Sequence, residues 1–485
     1  MRTLNKYIAG ISTAVVLLTA MSCSKEFYTD KNKNPNAPNS ALPNVLLTPV
    51  EVSLAYAQGG DMSRFASMFV QQTTGVSRQS AAYNEYVFTN QDPESLWDNL
   101  YTAAMYNDYN LMQICNNGQY NAYKGITEVL MAYSLQITVD CWGPIPYSQA
   151  FQGANNLKPA YDNDRKLYAT IDALCYQAIN DLNNTANDAL SPGSDDVVYF
   201  GQTGEWIEFA HAILARIFIH QSQTGNGNAA MADSALAHVA LSFASNADNA
   251  QVSFGLAANN NAPNYQFYTQ RGDISYVNGF FGVLSTTNDP RKFALIDSAN
   301  QSQGNYLDAY YQLANSPVEF ICYDEMNFIA AEATIRTNGS ASAAQNDYTN
   351  GIQADIAKVS SNPTIYGAGN PNPGMMGAPT TAQINAYLAE PGIGTLSANT
   401  DSALAQVANQ EYIALYMNPE AWALWRRSTK IPGFANGSPA LLPVSGPFQS
   451  DGIPRRFLYP QSELNLNGSN VPSATEWSPR VFWDN

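Results

Sequence analysis

Apolar residues recur at intervals of three and four along most of the chain beyond residue 42, and this spacing predicts helices with one buried face. The stripes are clearest in eight segments: residues 97–115, 126–137, 167–182, 206–217, 319–336, 341–359, 381–388 and 401–416. Several come in pairs joined by short polar turns, so each helix can bury its stripe against a neighbour. The pattern predicts a mainly α fold of stacked helical hairpins, and no composition shift divides the body over residues 42–485.

Three segments interrupt the helical pattern, at residues 77–92, 248–290 and 363–378. They are rich in Asn, Gln, Gly, Pro and Tyr, and no regular repeat period can be laid over the chain without treating them as insertions. Segments of more than about 15 residues without periodicity on a compact scaffold are often functional. We therefore expect long irregular loops here, and the first two are the candidates for a binding site.

The first 23 residues have the pattern of a bacterial lipoprotein signal. Basic residues precede an apolar run at residues 8–21, which leads into the pair Ser22-Cys23. A membrane-spanning helix is the alternative, but it needs about 18 or more apolar residues, and this run is shorter and interrupted by polar residues. We expect residues 1–22 to be a signal peptide, Cys23 to carry the lipid and residues 23–41 to form a flexible tether.

The overall charge limits which partners the protein can bind. Lysine and arginine number 23 against 40 aspartate and glutamate residues, which gives a formal net charge of −17. Such a surface repels nucleic acid and polyanionic glycans. The 29 tyrosines and an excess of Asn, Gln, Ser and Thr suit stacking on, and hydrogen bonding to, neutral polar partners.

Recognisable catalytic and cofactor motifs are missing from the sequence. It contains no G-x-S-x-G, G-x-x-x-x-G-K, G-x-G-x-x-G or H-E-x-x-H segment. The three histidines and the scattered cysteines offer no zinc-binding spacing, and the cysteines beyond Cys23 are expected to be small buried hydrophobes. We therefore expect no catalytic residue, no metal and no cofactor.

Acidic pairs are the remaining enzyme candidates, since glycoside hydrolysis needs two carboxylates roughly 5 to 10 Å apart. Asp195-Asp196 follows Pro-Gly and is expected to form a turn. Glu325 and Glu332 would share a helix face, with Glu332 pairing to Arg336 four residues later. Glycoside hydrolysis is kept only as the least favoured alternative.

Five motifs, in order along nearly the whole chain, give it a resemblance to a known family. They are residues 30–36 (DKNKNPN), 142–150 (WGPIPYSQA), 325–333 (EMNFIAAEA), 420–428 (EAWALWRRS) and 453–460 (IPRRFLYP). In this order they resemble the SusD/RagB-like nutrient-binding outer-membrane lipoproteins of the Bacteroidetes, and the SusD-like branch in particular.

The resemblance implies a helical body with four tetratricopeptide-like hairpins that is anchored by lipid in the outer membrane. Such proteins capture oligosaccharides for a SusC-like TonB-dependent transporter, in some branches capture peptides instead, and are not enzymes. Which face of the membrane the anchor occupies stays open, because only Glu26 and Asp30 follow Cys23 where surface-exported members carry a dense acidic run.

The family motifs are expected to be scaffold, with Trp422, Trp425, Arg426 and Arg427 packing in a helix and pairing to Glu411 or Glu420. Ligand contacts are expected on the first two irregular segments instead, where aromatic rings stack on a neutral oligosaccharide and polar groups hydrogen-bond to it. A peptide ligand is the alternative. The candidate residues are Arg78, Tyr83, Asn84, Tyr86, Trp97, Tyr265, Tyr268 and Arg271, of which Trp97 begins a helical stripe and is the one we expect to be buried.

Overall fold

Successive helices pack against one another along the chain, as the apolar stripes predict. The computed structural model describes residues 42–116, 118–224, 228–276, 278–296, 310–361, 378–432, 434 and 451–484. The predicted signal peptide, Cys23, the tether with its DKNKNPN motif and nearly all of segment 363–378 lie outside these residues.

The helices are α1 (Pro43–Ala57), α2 (Ser63–Phe69), α3 (Arg78–Asn84), α4 (Glu94–Asp98), α5 (Tyr106–Asn116), α6 (Asn121–Trp142), α7 (Asp164–Leu182), α8 (Thr203–Gln221), α9 (Ala229–Val239), α10 (Pro263–Gln270), α11 (Asn278–Thr286), α12 (Lys292–Leu295), α13 (Tyr323–Asn338), α14 (Ala341–Val359), α15 (Thr381–Ala389), α16 (Thr400–Ala414), α17 (Glu420–Ser428) and α18 (Gln461–Leu466). The strands are β1 (Thr73–Gly75), β2 (Ile145–Pro146), β3 (Tyr161–Asp162), β4 (Ala250–Val252), β5 (Ile274–Tyr276) and β6 (Val318–Ile321). The mainly α prediction is confirmed.

The long helices form a stack in which each packs on the next: α5 on α6, α6 on α7, α7 on α8, α8 on α9, α9 on α13, and α13 on both α14 and α16. Local sequence sets their ends. The side chain of Asn163 caps α7 by accepting a hydrogen bond from the backbone N–H of Arg165, and Gly143, with φ of +74°, ends α6. Gly125 lets α6 and α7 approach closely, because a Cβ there would lie 2.5 Å from the Leu182 side chain.

Buried ion pairs join helices that are distant in sequence. Arg427 on α17 binds both oxygens of Glu411 on α16, each at 3.1 Å, and also contacts Glu332 on α13. Glu332 accepts a second bond, from Nε of Arg336, at 2.7 Å. Trp422, Trp425, Arg426 and Arg427 are all buried. The scaffold role predicted for this motif and the Glu332–Arg336 pair are therefore confirmed.

Two further structural predictions can be compared with the described residues. Four cysteines, at 115, 141, 175 and 322, are free and buried. The carboxylate of Asp196 accepts bonds from the backbone N–H groups of Val198, Tyr199 and Gly201, at 2.8 to 3.0 Å, so it stabilises the expected turn. In the described ranges, every helix is too short or too polar to span a membrane.

Short elements occupy two of the segments that we expected to be irregular. Helix α3 lies within residues 77–92, and β4, α10, β5 and α11 lie within residues 248–290. The helix predicted from residue 319 begins instead at Tyr323, because residues 318–321 pair with β4 as a strand. These elements are three to nine residues long, which is too short for a periodic stripe to distinguish them from loops.

Antiparallel pairing brings the two segments together. Strand β1 pairs with β5 so that Thr73 faces Tyr276 and Gly75 faces Ile274. The other described pairs are β2 with β3 and β4 with β6. The β1–β5 pair places the residues that follow β1 beside α10 and the loop after it, and a cleft opens between them.

Candidate ligand-binding site

A cleft of about 550 Å³ lies between the two segments that interrupt the helical pattern. One wall comes from residues 61–68 and from residues 79–95, which run from α3 to the start of α4, and the other comes from α10 and the residues up to β5. Its lining consists of Asp61, Arg64, Phe65, Met68, Gln79, Ser80, Ala82, Tyr83, Val87, Thr89, Gln91, Asp92, Ser95, Phe267, Arg271, Asp273 and Ile274. Gly60, which precedes Asp61, has non-helical angles that interrupt the helical path between α1 and α2.

Asp273 ties the two walls together. Its carboxylate accepts bonds from Nε of Arg78 at 2.7 Å and from Ser77 Oγ at 3.2 Å, and Nε of Arg271 lies 3.3 Å away. Burial alone would raise the pKa of Asp273, but the hydrogen bonds and the positive charges of these arginines outweigh it and hold the pKa below its usual value. The carboxylate is therefore ionised at neutral pH.

Tyr83 forms part of the cleft wall with one side packed on the core. Its ring meets Phe65 edge to face, with centroids 5.1 Å apart, and its hydroxyl donates to Asp92 Oδ1 at 2.5 Å. Burial and then the hydrogen bond to Asp92 raise the pKa of the phenol above its usual value. Tyr83 is thus a neutral, oriented group that fixes the position of Asp92.

Phe267, on the opposite wall, contacts one guanidinium group from each wall. The Arg64 guanidinium lies 4.0 Å from the centre of the Phe267 ring, and that of Arg271 lies 5.7 Å from it. Arg64 also pairs with Asp61. Of these arginines, Arg271 is the more open, with 42% of its side chain exposed. Each wall of the cleft therefore carries at least one carboxylate and a guanidinium: Asp61, Asp92 and Arg64 on one, and Asp273 and Arg271 on the other.

The sequence-predicted residues are only partly brought together. Tyr83 and Arg271 line the cleft, and Arg78 adjoins it through Asp273. Asn84 accepts a bond from Thr74 Oγ1 at 2.9 Å and so joins α3 to β1. Tyr265 is half-buried and lies outside the lining.

Four of the five predicted aromatic residues are buried, among them Tyr83, which is only 8% exposed at the cleft wall. Tyr86 is only 1% exposed, and its hydroxyl contacts Gln71 and the backbone oxygen of Phe69. Tyr268 packs in the core. Trp97 is buried as expected, and it lies in the wall of a different groove, on the other side of α4.

The sequence did not single out Asp61, Arg64, Asp92, Phe267 or Asp273. Asp92 and the other acidic residues carry no motif, and their role depends on partners up to 196 positions away. Phe267 lies between Tyr265 and Tyr268, which are both predicted to contact the ligand. This cluster of aromatic residues is the sequence signal that could have indicated Phe267.

A buried cluster elsewhere has the geometry of a metal site but a structural role. Ligand atoms of Asp140, His220 and Glu420 lie within 4.8 Å of one another. His220 Nε2 is already 2.7 Å from Glu420 Oε1, and its Nδ1 is 2.9 Å from the Tyr168 hydroxyl. That hydroxyl also donates to Asp140 at 2.5 Å. The polar atoms are thus used in joining α6, α7, α8 and α17.

Comparison with known proteins identifies the fold and the family. A crystal structure of a SusD/RagB family protein from Bacteroides thetaiotaomicron matches with a TM-score of 0.72 and 22% identity, covering 92% of this chain and 99% of that one. A SusD homolog from Bacteroides fragilis matches at 0.70 and 21%, covering 92% and 99%.

A chitin-binding SusD homolog from Flavobacterium johnsoniae matches with a TM-score of 0.66 and 19% identity, covering 91% of this chain and 97% of that one. A search of curated proteins found no match. The family model for SusD-like proteins, described as starch-binding and associating with the outer membrane, matches residues 35–460, and the chain therefore belongs to the SusD-like family.

Proposed function

We propose that this chain is a cell-surface lipoprotein that captures a neutral oligosaccharide and delivers it to a SusC-like TonB-dependent outer-membrane transporter. Cys23 is the proposed lipid attachment site, and no catalytic step is assigned to the chain. The family description, starch-binding and associating with the outer membrane, supports a nutrient-binding role. The chitin-binding relative from Flavobacterium johnsoniae supports a neutral glycan as the ligand class.

The observation that carries the proposal is the cleft between residues 61–95 and 267–274, which is lined by both hydrogen-bond donors and acceptors. Each sugar hydroxyl both donates and accepts a hydrogen bond. The carboxylate of Asp92 has about four acceptor sites, of which three are used by the Tyr83 hydroxyl and by the N–H and Oγ1 of Thr89, so it can accept one further bond. The guanidinium of Arg271 can donate into the same opening. Hydrogen bonds to charged groups are the stronger ones, contributing about 1.5–3 kcal/mol each.

The charges of the cleft favour a neutral ligand over an ionic one. Asp61 is paired with Arg64, and Asp273 with Arg78 and Arg271, so the local charges largely cancel. The chain as a whole is strongly acidic, and a polyanionic glycan would be repelled on approach. Phe267 and Tyr83 supply apolar surface against which the carbon-bound hydrogens of a sugar can pack.

Removing the Arg271 guanidinium tests the proposed site. We expect Arg271→Ala to weaken binding of a neutral glycan at least tenfold, because a charge-assisted hydrogen bond of about 1.5–3 kcal/mol is lost. The measurement is isothermal titration calorimetry with maltohexaose and chitohexaose, after checking that the variant melts like the parent protein.

Arg165 provides a matched control for this experiment. It is also an exposed arginine whose guanidinium lies over a phenylalanine ring, at 4.6 Å from the centre of Phe482, but it lies outside the cleft. Arg165→Ala should bind glycan normally. Equal affinity in both variants would remove the cleft as the binding site, and binding of peptides with no affinity for any glycan would support the peptide-capturing alternative.

A further inference from the structure

A second, larger groove of about 790 Å³ lies on the other side of α4 from the cleft, and Ser95 lines both. Its walls are residues 94–106, residues 146–159 and helix α18. The groove therefore combines part of the family-like motif WGPIPYSQA, which supplies Pro146 and Ala150, with residues between α4 and α5 and with α18, which follows the motif IPRRFLYP. The ligand-binding proposal for the cleft makes no use of it.

The floor of the groove is aromatic, but the rings are turned toward one another. Trp97 stacks on Tyr101 with centroids 4.5 Å apart. Phe151 lies 6.2 Å from Tyr101 and 6.4 Å from Tyr106, and its backbone is held in the left-handed region with φ of +63°. With Trp97 buried, the floor offers little open ring face for a sugar to stack on.

Exposed aliphatic side chains stand at the edge of this floor. Leu157 is 76% exposed and Leu466 is 69% exposed, and Tyr106, also exposed, continues the same surface. Grouped apolar side chains around a concave surface are typical of protein docking sites. Soluble glycans would leave the leucine methyl groups without an apolar partner, so the surface favours a protein ligand.

The charged side chains that line the groove are all acidic, and the exposed Lys158 stands between the lining residues Leu157 and Pro159. The lining contains three carboxylates, those of Glu94, Asp98 and Glu463, and among the described residues that line the groove none is lysine or arginine. Asp98 is exposed and forms no ion pair with any described residue. An apolar floor with an acidic border is complementary to an apolar side chain flanked by positive charges.

We propose that this groove, bordered by Glu94, Asp98, Glu463, Leu157 and Leu466, docks a protein segment in which an apolar side chain lies next to lysine or arginine. The apolar side chain packs on Phe151 and Tyr106, and the cations meet the carboxylates at the border. Since α4 separates the groove from the cleft, a partner held here lies directly beside the proposed glycan site.

The proposal is tested by measuring the binding of two synthetic peptides of opposite charge to the mature protein. Ac-Gly-Lys-Leu-Phe-Lys-Gly-NH₂ should bind at low ionic strength at least tenfold more tightly than Ac-Gly-Glu-Leu-Phe-Glu-Gly-NH₂, as measured by calorimetry and by saturation-transfer NMR. Raising the salt concentration should reduce the difference. Equal binding of the two peptides, or no binding of either, would overturn the proposal.

Single substitutions locate the binding. Leu466→Ala and Asp98→Asn should each weaken the basic peptide at least threefold, whereas Leu256→Ala, at a leucine that is 74% exposed outside the groove, should not. Both groove variants should bind glycan normally, so failure here is distinguishable from failure of the cleft proposal. If Leu466→Ala weakened glycan binding, the groove would bind glycan. If a dimer of the chain dissociated in that variant, the groove would bind a second copy of the chain. Either result would contradict the proposal.

Discussion

The ion pairs of the interior and those of the cleft use the same chemical groups but differ in burial. Arg216 on α8 binds Glu325 on α13 through two bonds of 2.6 Å, and both side chains are almost fully enclosed. At the cleft, Arg78 and Arg271 share the carboxylate of Asp273, yet Arg78 is 56% exposed. In both places the carboxylate is buried, so the difference lies in how far water reaches the cations.

The exposure of the arginine distinguishes ion pairs that stabilise the fold from those that can bind a ligand. A buried pair contributes to stability only as a complete set, because either partner left alone is an uncompensated charge. An exposed cation contributes little to stability but is free to exchange water for a ligand hydroxyl. The family motif EMNFIAAEA supplies Glu325 to the interior, whereas Arg78 and Arg271 come from the interrupting segments.

Loss of the Arg216 guanidinium should produce the largest effect on stability. Besides Glu325, it donates to the backbone oxygen of Phe320 at 2.9 Å, and Glu420 lies 3.6 Å away. We expect Arg216→Met to lower the free energy of unfolding by about 3–5 kcal/mol, because Glu325 is left charged and buried. Urea denaturation followed by circular dichroism measures the change.

The double variant Arg216→Met/Glu325→Met is the second test of this ion pair. It can be measured even if the single variant fails to fold. Removing both charges should recover a large part of the loss, as replacement of buried pairs by apolar side chains of similar size often does. If the single variant were as stable as the parent protein, the proposed distinction between interior and cleft would fail.

Asp108 is the exception within the interior, because it is buried on α5 and neither of its oxygens has a hydrogen-bond partner among the described residues. Burial, and then the charge of Glu128, raise the pKa of Asp108 well above its usual value. Stability from a raised carboxyl pKa is complete below the unfolded pKa and is lost as pH rises through the folded pKa. At pH 8, Asp108→Asn should therefore be more stable than the parent protein.

Measuring the stability gain of Asp108→Asn at two pH values separates the effect of the Asp108 proton from the effect of packing. The advantage of Asp108→Asn should be larger at pH 8 than at pH 5, as measured by urea denaturation at both. Asp172→Asn serves as the control, because burial also raises the pKa of Asp172 but that residue is only half-buried. If Asp108→Asn gained the same stability at both pH values, or lost stability at pH 8, the stability of the fold would not depend on the proton of Asp108. Either result would contradict this prediction.

The same contrast explains how much the sequence could predict. Long helices such as α7 repeat their apolar positions over several turns, so the stacked helical fold and the scaffold role of Arg427 followed from spacing and motif. Helix α10 has only eight residues. Tertiary contacts, such as that of the Arg64 guanidinium with the Phe267 ring, decide which face of α10 lies against the core. They place Phe267 at the cleft and Tyr268 in the core.

Predicting the segments was therefore easier than predicting the contacting side chains within them. The pairing of β1 with β5 depends on three residues from each strand, and neither strand is long enough to give an alternating pattern. Asp273 acquires its role only when that pairing brings Arg78 beside it. A cleft built from short elements distant in sequence cannot be assembled from local periodicity.

Arg78 should give the smallest effect on stability and the sharpest separation of stability from binding. Its side chain is exposed, and its backbone has φ of +52°, a conformation that glycine adopts without strain. Arg78→Ala should melt close to the parent protein. Both Arg78→Ala and Arg78→Gly should weaken glycan binding about threefold, because Asp273 loses the partner that helps it hold Arg271 in place.

The two replacements differ in a way that only the backbone conformation explains. Arg78→Gly should melt at a higher temperature than Arg78→Ala, since alanine keeps the strain at this position and glycine removes it, while their affinities for maltohexaose should agree. Differential scanning fluorimetry and calorimetry measure the two quantities on the same samples. If affinity followed melting temperature across the pair, Arg78 would act on the ligand through the stability of the segment. An unchanged affinity in both variants would show that the exposed cations of the cleft, unlike those of the interior, work independently of one another.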